Sequence, residues 1–141
     1  MRLRKASLLT AGAISALLIP LAATPASAAG SGCEEQFGGS YGYWDGTFKS
    51  DYKIDPLNLH VQDLLSDGHH AAIRLVTKSP TGTIKNWSWH HNYDGAPHWK
   101  DWSTYVTSST VISAARVDVA IFEGDIELTG TCHSAWDDNP Y

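Results

Sequence analysis

The sequence predicts a small all-β domain, an antiparallel β-sandwich or barrel-like fold tied by one disulfide. Three observations carry this. Short β-type runs alternate with turn signals at Asp45-Gly46, Asp67-Gly68, Ser79-Pro80-Thr81-Gly82, Asp94-Gly95 and Glu123-Gly124-Asp125. The chain has only two cysteines, Cys33 and Cys132, close to the two ends of the part that folds. Its 141 residues leave room for one domain and show no internal repeat.

The first 28 residues read as a leader. Arg2, Arg4 and Lys5 precede an apolar run from about Leu8 to Ala22, and Ala26-Ser27-Ala28 has the small-x-small form that a signal peptidase cuts. The run is shorter than the ~20 apolar residues of a membrane span. The sequence therefore predicts a secreted, extracellular chain beginning at Ala29, about 113 residues long. In an oxidising compartment, two thiols are expected to pair as Cys33–Cys132.

Export sharpens the charge. Three of the ten basic residues leave with the leader, so seven remain against 15 acidic ones, a net charge of −8 with His neutral. An acidic domain has no footprint for nucleic-acid phosphates and none for an anionic membrane.

Residues 29–42, rich in Gly, Ser and Glu, read as a flexible lead-in to a single β domain over 43–141. Residues 56–66, PLNLHVQDLLS, are the one stretch open to a helical reading, through Leu57, Val61, Leu64 and Leu65, although alternation is readable there too. Residues 71–78 and 83–91 form a predicted hairpin around Pro80-Thr81-Gly82. That turn pairs Ser79 with Thr83, Leu75 with Trp87, Ile73 with Trp89 and Ala71 with His91. It places Trp87 and Trp89 together on one apolar face. Arg116 to Phe122 is a strand with Val117, Val119 and Ile121 on one side and Arg116, Asp118 and Ala120 on the other. Ile126 to Cys132 returns as the last strand, and a polar, aromatic tail runs from Ser134 to Tyr141.

Six tryptophans and seven histidines are the unusual residues. Trp99 and Trp102 lie in 91–105, HNYDGAPHWKDWSTY, which reads as a long loop. Loops carry contact residues on a rigid scaffold, so Tyr93, Trp99, Trp102 and Tyr105 are the candidate binding residues. In the hairpin register, His70 lies diagonal to His90 and His69 to His91. No metal-ligand spacing such as HExxH occurs, and no metal site or other cofactor is assigned. The carboxylates at Glu123/Asp125/Glu127 and at Asp137/Asp138 read as solvated. No catalytic residue is assigned, there being no GxSxG elbow, and the chain is expected to be a non-enzyme.

The ending, residues 115–141, carries Val117, Val119, Ile121, Cys132, Trp136, Asn139, Pro140 and Tyr141. This pattern resembles the C-terminal part of small exported actinobacterial proteins, with an apolar strand, a turn, a cysteine strand and an Asn-Pro-Tyr tail. The resemblance covers about a fifth of the chain and implies secretion and a β fold, with no catalytic residue. Subtilisin-inhibitor-type proteins are similar in size and origin but use two disulfides, whereas this chain has cysteines for one. Adaptor subunits of secreted antibacterial toxin assemblies are similar in size and export.

The leading functional expectation is a secreted module that binds a secreted or cell-surface protein, as adaptor or inhibitor, through the 91–105 aromatics. A carbohydrate-binding module using the same rings is the alternative. It calls for coplanar exposed rings beside Asp or Asn acceptors, whereas a protein site calls for an apolar patch with a polar rim. A toxin-assembly adaptor and a metal-dependent enzyme built on three or more converging histidines are the remaining readings.

Overall fold

The computed structural model describes residues 27–141. Residues 1–26 of the expected 1–28 leader lie outside the described residues, and its last two, Ser27 and Ala28, begin β1. The chain is all-β, and its strands are β1 (Ser27–Glu34), β2 (Ser40–Ser50), β3 (Lys53–Asp63), β4 (His70–Lys78), β5 (Ile84–Asn86), β6 (His90–Asn92), β7 (Trp99–Thr107), β8 (Ala114–Glu123), β9 (Ile126–Glu127), β10 (Cys132–His133) and β11 (Asp137–Asp138). The first sheet has the order β1-β2-β3-β7. In the second, β8 and β4 are central, β5 and β6 pair with β4, and β9, β10 and β11 pair with β8. Every pairing is antiparallel.

Alternation drives the first sheet. In β2, Gly42, Trp44, Gly46 and Phe48 point inward and Tyr41, Tyr43 and Asp45 outward, giving strictly alternating burial over these residues. β3 answers with Leu57, Leu59 and Val61 inward and Asn58, His60 and Gln62 outward. Across the sandwich, Ile73 and Leu75 of β4 and Val117 and Val119 of β8 complete a core in which Trp44, Phe48 and Ile54 are also fully buried. The faces of Arg116–Phe122 are as the sequence predicts, with Val117 and Val119 in the core and Arg116 and Asp118 on the opposite face.

The disulfide joins Cys33 of β1 to Cys132 of β10, across 99 residues. Ser31 Oγ and Ser134 Oγ lie 2.9 Å apart beside it, so this edge of the sandwich is closed.

Several expectations change. The lead-in, 29–42, is strand for most of its length: β1 pairs with β2 from Ser27↔Phe48 to Glu34↔Tyr41. Period two wins over the helical reading of 56–66, because Leu57, Leu59 and Val61 all find core partners on one face of β3. Asp45-Gly46 is not a turn but the middle of β2. Gly46 is needed there because a Cβ would lie 2.7 Å from the Pro56 carbonyl oxygen. The 91–105 stretch is not a long loop, since β6 and β7 occupy most of it and only 93–98 connect them. The return of 126–132 is broken into β9 and β10 by the intervening Leu128–Thr131.

The hairpin follows the sequence prediction for half its length. The Ser79 amide donates to the Thr83 carbonyl at 2.9 Å, Gly82 takes a left-handed φ of 85°, and the Trp87 amide reaches the Leu75 carbonyl at 3.0 Å. Beyond Trp87 the register slips by one, giving Ile73↔His90, Ala72↔His91 and Ala71↔Asn92. An extra residue in one strand flips everything after it to the other face. Trp87 stays on the core side, while Trp89 packs outside over Ala72, Ala120 and Phe122. The slip is tolerated because the outer face offers Trp89 its own apolar seat, where the two alanines leave room for the indole.

Candidate functional site

The outer face of the first sheet is an ordered grid built by strand register. Tyr41, Gln62 and Trp99 form one row across β2, β3 and β7; Tyr43, His60 and Asp101 the next; Asp45, Asn58 and Ser103 the third. Strand spacing and rise give the grid roughly 10 Å by 14 Å.

Its side chains hold one another. The His60 ring lies between two carboxylates, Nδ1 at 2.7 Å from Asp101 Oδ1 and Nε2 at 3.0 Å from Asp45 Oδ2. Tyr43 stacks on His60 with ring centroids 4.3 Å apart and planes 12° from parallel. Asn58 Nδ2 donates to Asp45 Oδ1 at 2.8 Å, and the Ser103 hydroxyl donates to Asn58 Oδ1. Gln62 Nε2 donates to the Pro97 carbonyl. Trp99 meets Tyr41 and Tyr43 edge-on, at 85° and 71°. Alongside Tyr43 and Asp45, β1 presents Gly30 and Gly32, a flank without side chains. Asp45, Asp101, Ser103, Tyr41 and Trp99 are all exposed, so surface groups that would otherwise be mobile are fixed in place.

The four residues singled out from the sequence do not share one surface. Trp99 belongs to the grid. Tyr105 is exposed further along β7, with the Lys53 ammonium 5.4 Å from its ring. Trp102 points inward against the core, its ring 5.1 Å from that of His90. Tyr93 stands on the other sheet, stacked on His91. Tyr41, Tyr43, Asp45, Asn58, His60 and Asp101 were missed. Their only sequence signal is polar alternation, Tyr-x-Tyr-x-Asp and Asn-x-His-x-Gln, which also marks any solvated strand face.

The histidines rearrange with the hairpin slip. His70 now meets His91, Nε2 to Nδ1 at 2.9 Å, beside Tyr93 and Phe122. His90 faces the core side, and His69 contacts Asp67. Among the described residues no three His, Cys, Asp or Glu side chains converge as a metal ion requires. Burial, reinforced by His91, lowers the pKa of both His70 and His90. The folded state therefore prefers them neutral. Their contribution to stability is complete above the ordinary value of about 6.5 and is lost as pH falls through their lowered folded values. The melting temperature is expected to drop between pH 7 and pH 5, and His90→Gln to flatten that slope in thermal scans across the range.

The outer face of the second sheet is organised around a buried carboxylate. Asp118, 1% exposed, accepts from Arg74 Nε and Nη2 at 3.2 and 2.9 Å and lies 2.6 Å from His133 Nδ1. Arg116 Nε approaches it at 3.3 Å without hydrogen-bond geometry. The guanidinium groups continue onto aromatic faces, Arg74 over Trp89 at 4.4 Å and Arg116 over Trp136 at 4.6 Å, with Lys78 also over Trp136. Apart from Arg116 Nε these groups partner one another, and the arrangement reads as structural support.

The fold and site define a disulfide-closed β-sandwich with an ordered polar and aromatic sheet face. Compared with protein-family models, curated proteins and solved structures, the chain matches none.

Proposed function

We propose that this chain is an exported carbohydrate-binding module whose contact surface is the outer face of the first sheet. The carrying observation is the grid itself, in which Asp45, Asn58, His60 and Asp101 are interlocked by hydrogen bonds and the rings Tyr41, Tyr43 and Trp99 gather at one end. A protein contact site has an apolar centre and a polar rim. This face is instead divided, aromatic at one end and polar over the rest, with a hydrogen-bonded His60 rather than an apolar residue at its middle.

Polyhydroxylated ligands fit that layout. Carboxylates and an amide present paired acceptors and donors to adjacent hydroxyls, while rings cover the apolar faces of sugars. Because the polar groups are already held, little conformational freedom remains to be lost on binding. The Asp and Asn acceptors expected of a sugar site are present, but the rings are inclined at 39°, 85° and 71° rather than coplanar as expected, which disfavours a flat crystalline surface as ligand and leaves a single soluble glycan chain. Gly30 and Gly32 let β1 lie close against β2, since a Cβ at either would come 2.6 Å from a β2 carbonyl oxygen, so β1 adds no side chain above Tyr43 and Asp45.

The leader motif and the disulfide support export. Among the described residues no helix is long and apolar enough to cross a membrane.

Affinity electrophoresis through gels containing individual soluble polysaccharides tests this reading. The oxidised protein is expected to be retarded by at least one of them. Trp99→Ala is expected to weaken that retention by about tenfold, ~1.4 kcal/mol, with unchanged melting temperature. Equal retention of wild type and variant, or none on any polysaccharide, would reject the proposed surface.

A further inference from the structure

The sandwich is closed along its β1 edge and open along the other. There β7 is the last strand of the first sheet, and across the seam its Trp102 meets His90 of β6. Two clefts lie in this seam. One, about 240 Å³, is lined by Leu57, Leu59, Leu75, Trp87 and His90. It gives access to core leucines through a mouth bordered by Ser88 and Thr104. The other, about 300 Å³, is lined by Lys78, Lys85 and the hydroxyl residues Thr83, Ser108 and Thr110, with no acidic residue, in a chain of net charge −5. Trp87 stands between them, its Nε1 donating to Thr77 Oγ1 and its ring beneath the Lys85 ammonium at 3.9 Å.

Among the described residues β7 pairs only with β3, so its outer backbone edge has no strand partner. An inward-pointing charge is a common guard on such an edge. Lys100, across from the core residue Val61 and paired with Asp94 at 2.7 Å, supplies it at the start of β7. From Trp102 to Thr107 no charged residue stands on the strand.

We propose that the seam takes an extended peptide segment of a protein partner, added as a strand to β7 over Trp102–Thr107. One bulky apolar side chain would enter the cleft above Leu57, Leu59 and Leu75, and an acidic side chain would face Lys85. Three observations favour this occupant together: free edge backbone gives affinity, the apolar cleft selects one side chain, and the cationic cleft complements an acid in an otherwise acidic chain. The site lies on the β7 edge and in the seam, meets the grid only at Ser103, and stands whether or not the grid binds glycans.

The probe is an acetylated eight-residue peptide of alternating Thr and Leu ending in two aspartates, titrated into the oxidised protein and read by amide hydrogen exchange. Exchange at Trp102–Thr107 is expected to slow by about tenfold or more. The same peptide N-methylated at alternate residues is expected to give no protection, since it cannot extend a ladder. Thr104→Arg, an exposed position at the cleft mouth, should abolish protection while the melting temperature holds, and Lys85→Glu should shift preference to a lysine-ended peptide. Trp99→Ala should leave peptide binding intact, which separates this site from the glycan surface. Absence of protection, full protection in Thr104→Arg, or protection that rises with protein concentration without peptide would overturn the proposal. The last outcome would assign the edge to a second copy of the chain.

Discussion

Asp118→Ala is expected to destabilise the fold by about 3–5 kcal/mol, because it leaves cations buried without their counter-charge. Asp118 is 1% exposed, and the Arg74 and Arg116 side chains are only 18% and 21% exposed. Both guanidinium groups are held against aromatic faces, Trp89 and Trp136, and cannot turn fully into solvent without losing that packing. The loss should spread along the ladder, since Trp136 also carries Lys78 and precedes β11, which pairs with β8. Denaturant unfolding at pH 7 measures it. The double variant Asp118→Ala with Arg74→Met should recover part of the loss, because one stranded charge is removed along with the carboxylate. A single-variant cost below about 1 kcal/mol, the range of an exposed ion pair, would mean that the network is solvated rather than buried.

Opening the Cys33–Cys132 bond is the second large effect. Closing a loop of 99 residues restrains the unfolded chain, which the chain-entropy model values at up to about 4.7 kcal/mol. The native side of the balance adds to this. β1 sits at the edge of the first sheet, and its links to the second include the bond itself, the Ser31–Ser134 contact and the bond from Ser31 Oγ to the Ala135 carbonyl. Cys33→Ala with Cys132→Ala is therefore expected to lower stability by about 2–5 kcal/mol, and amide exchange should be fastest in β1 and β10. Uniform exchange across all strands would mean that β1 is held by its pairing with β2 alone.

The parts of the fold legible in the sequence are those set by local chemistry. Pro80-Thr81-Gly82 fixes a turn, and its register carries correctly through Leu75 and Trp87. Arg116 to Phe122 alternates cleanly enough to assign both faces. The two cysteines leave a single intramolecular pairing. What failed depended on partners distant in sequence. Trp89 left the predicted face because Ala72 and Ala120, on different strands, make space for it outside. Residues 56–66 carry both periods, and what decides for strand is distant in sequence: Trp44 and Phe48 beside them on β2, and Ile73, Leu75, Val117 and Val119 across the core.

The grid was illegible for the same reason. Its residues come from three strands, 41–45, 58–62 and 99–103, and each piece alone looks like an ordinary solvated face. The rows exist only once the register Tyr43↔His60↔Asp101 is known. Aromatic content did point to Trp99. The loop assignment then grouped it with Trp102, Tyr105 and Tyr93, which strand alternation and the 93–98 connection send to different surfaces.

The most direct test of the glycan surface is a backbone-amide and imidazole chemical-shift titration with the soluble polysaccharide fragment that gives the strongest gel retention. The account predicts shifts concentrated at Tyr43, Asp45, Asn58, His60, Trp99 and Asp101, with the His60 ring among the largest. Shifts confined to the second sheet, or to the β7 seam with the grid silent, would contradict it.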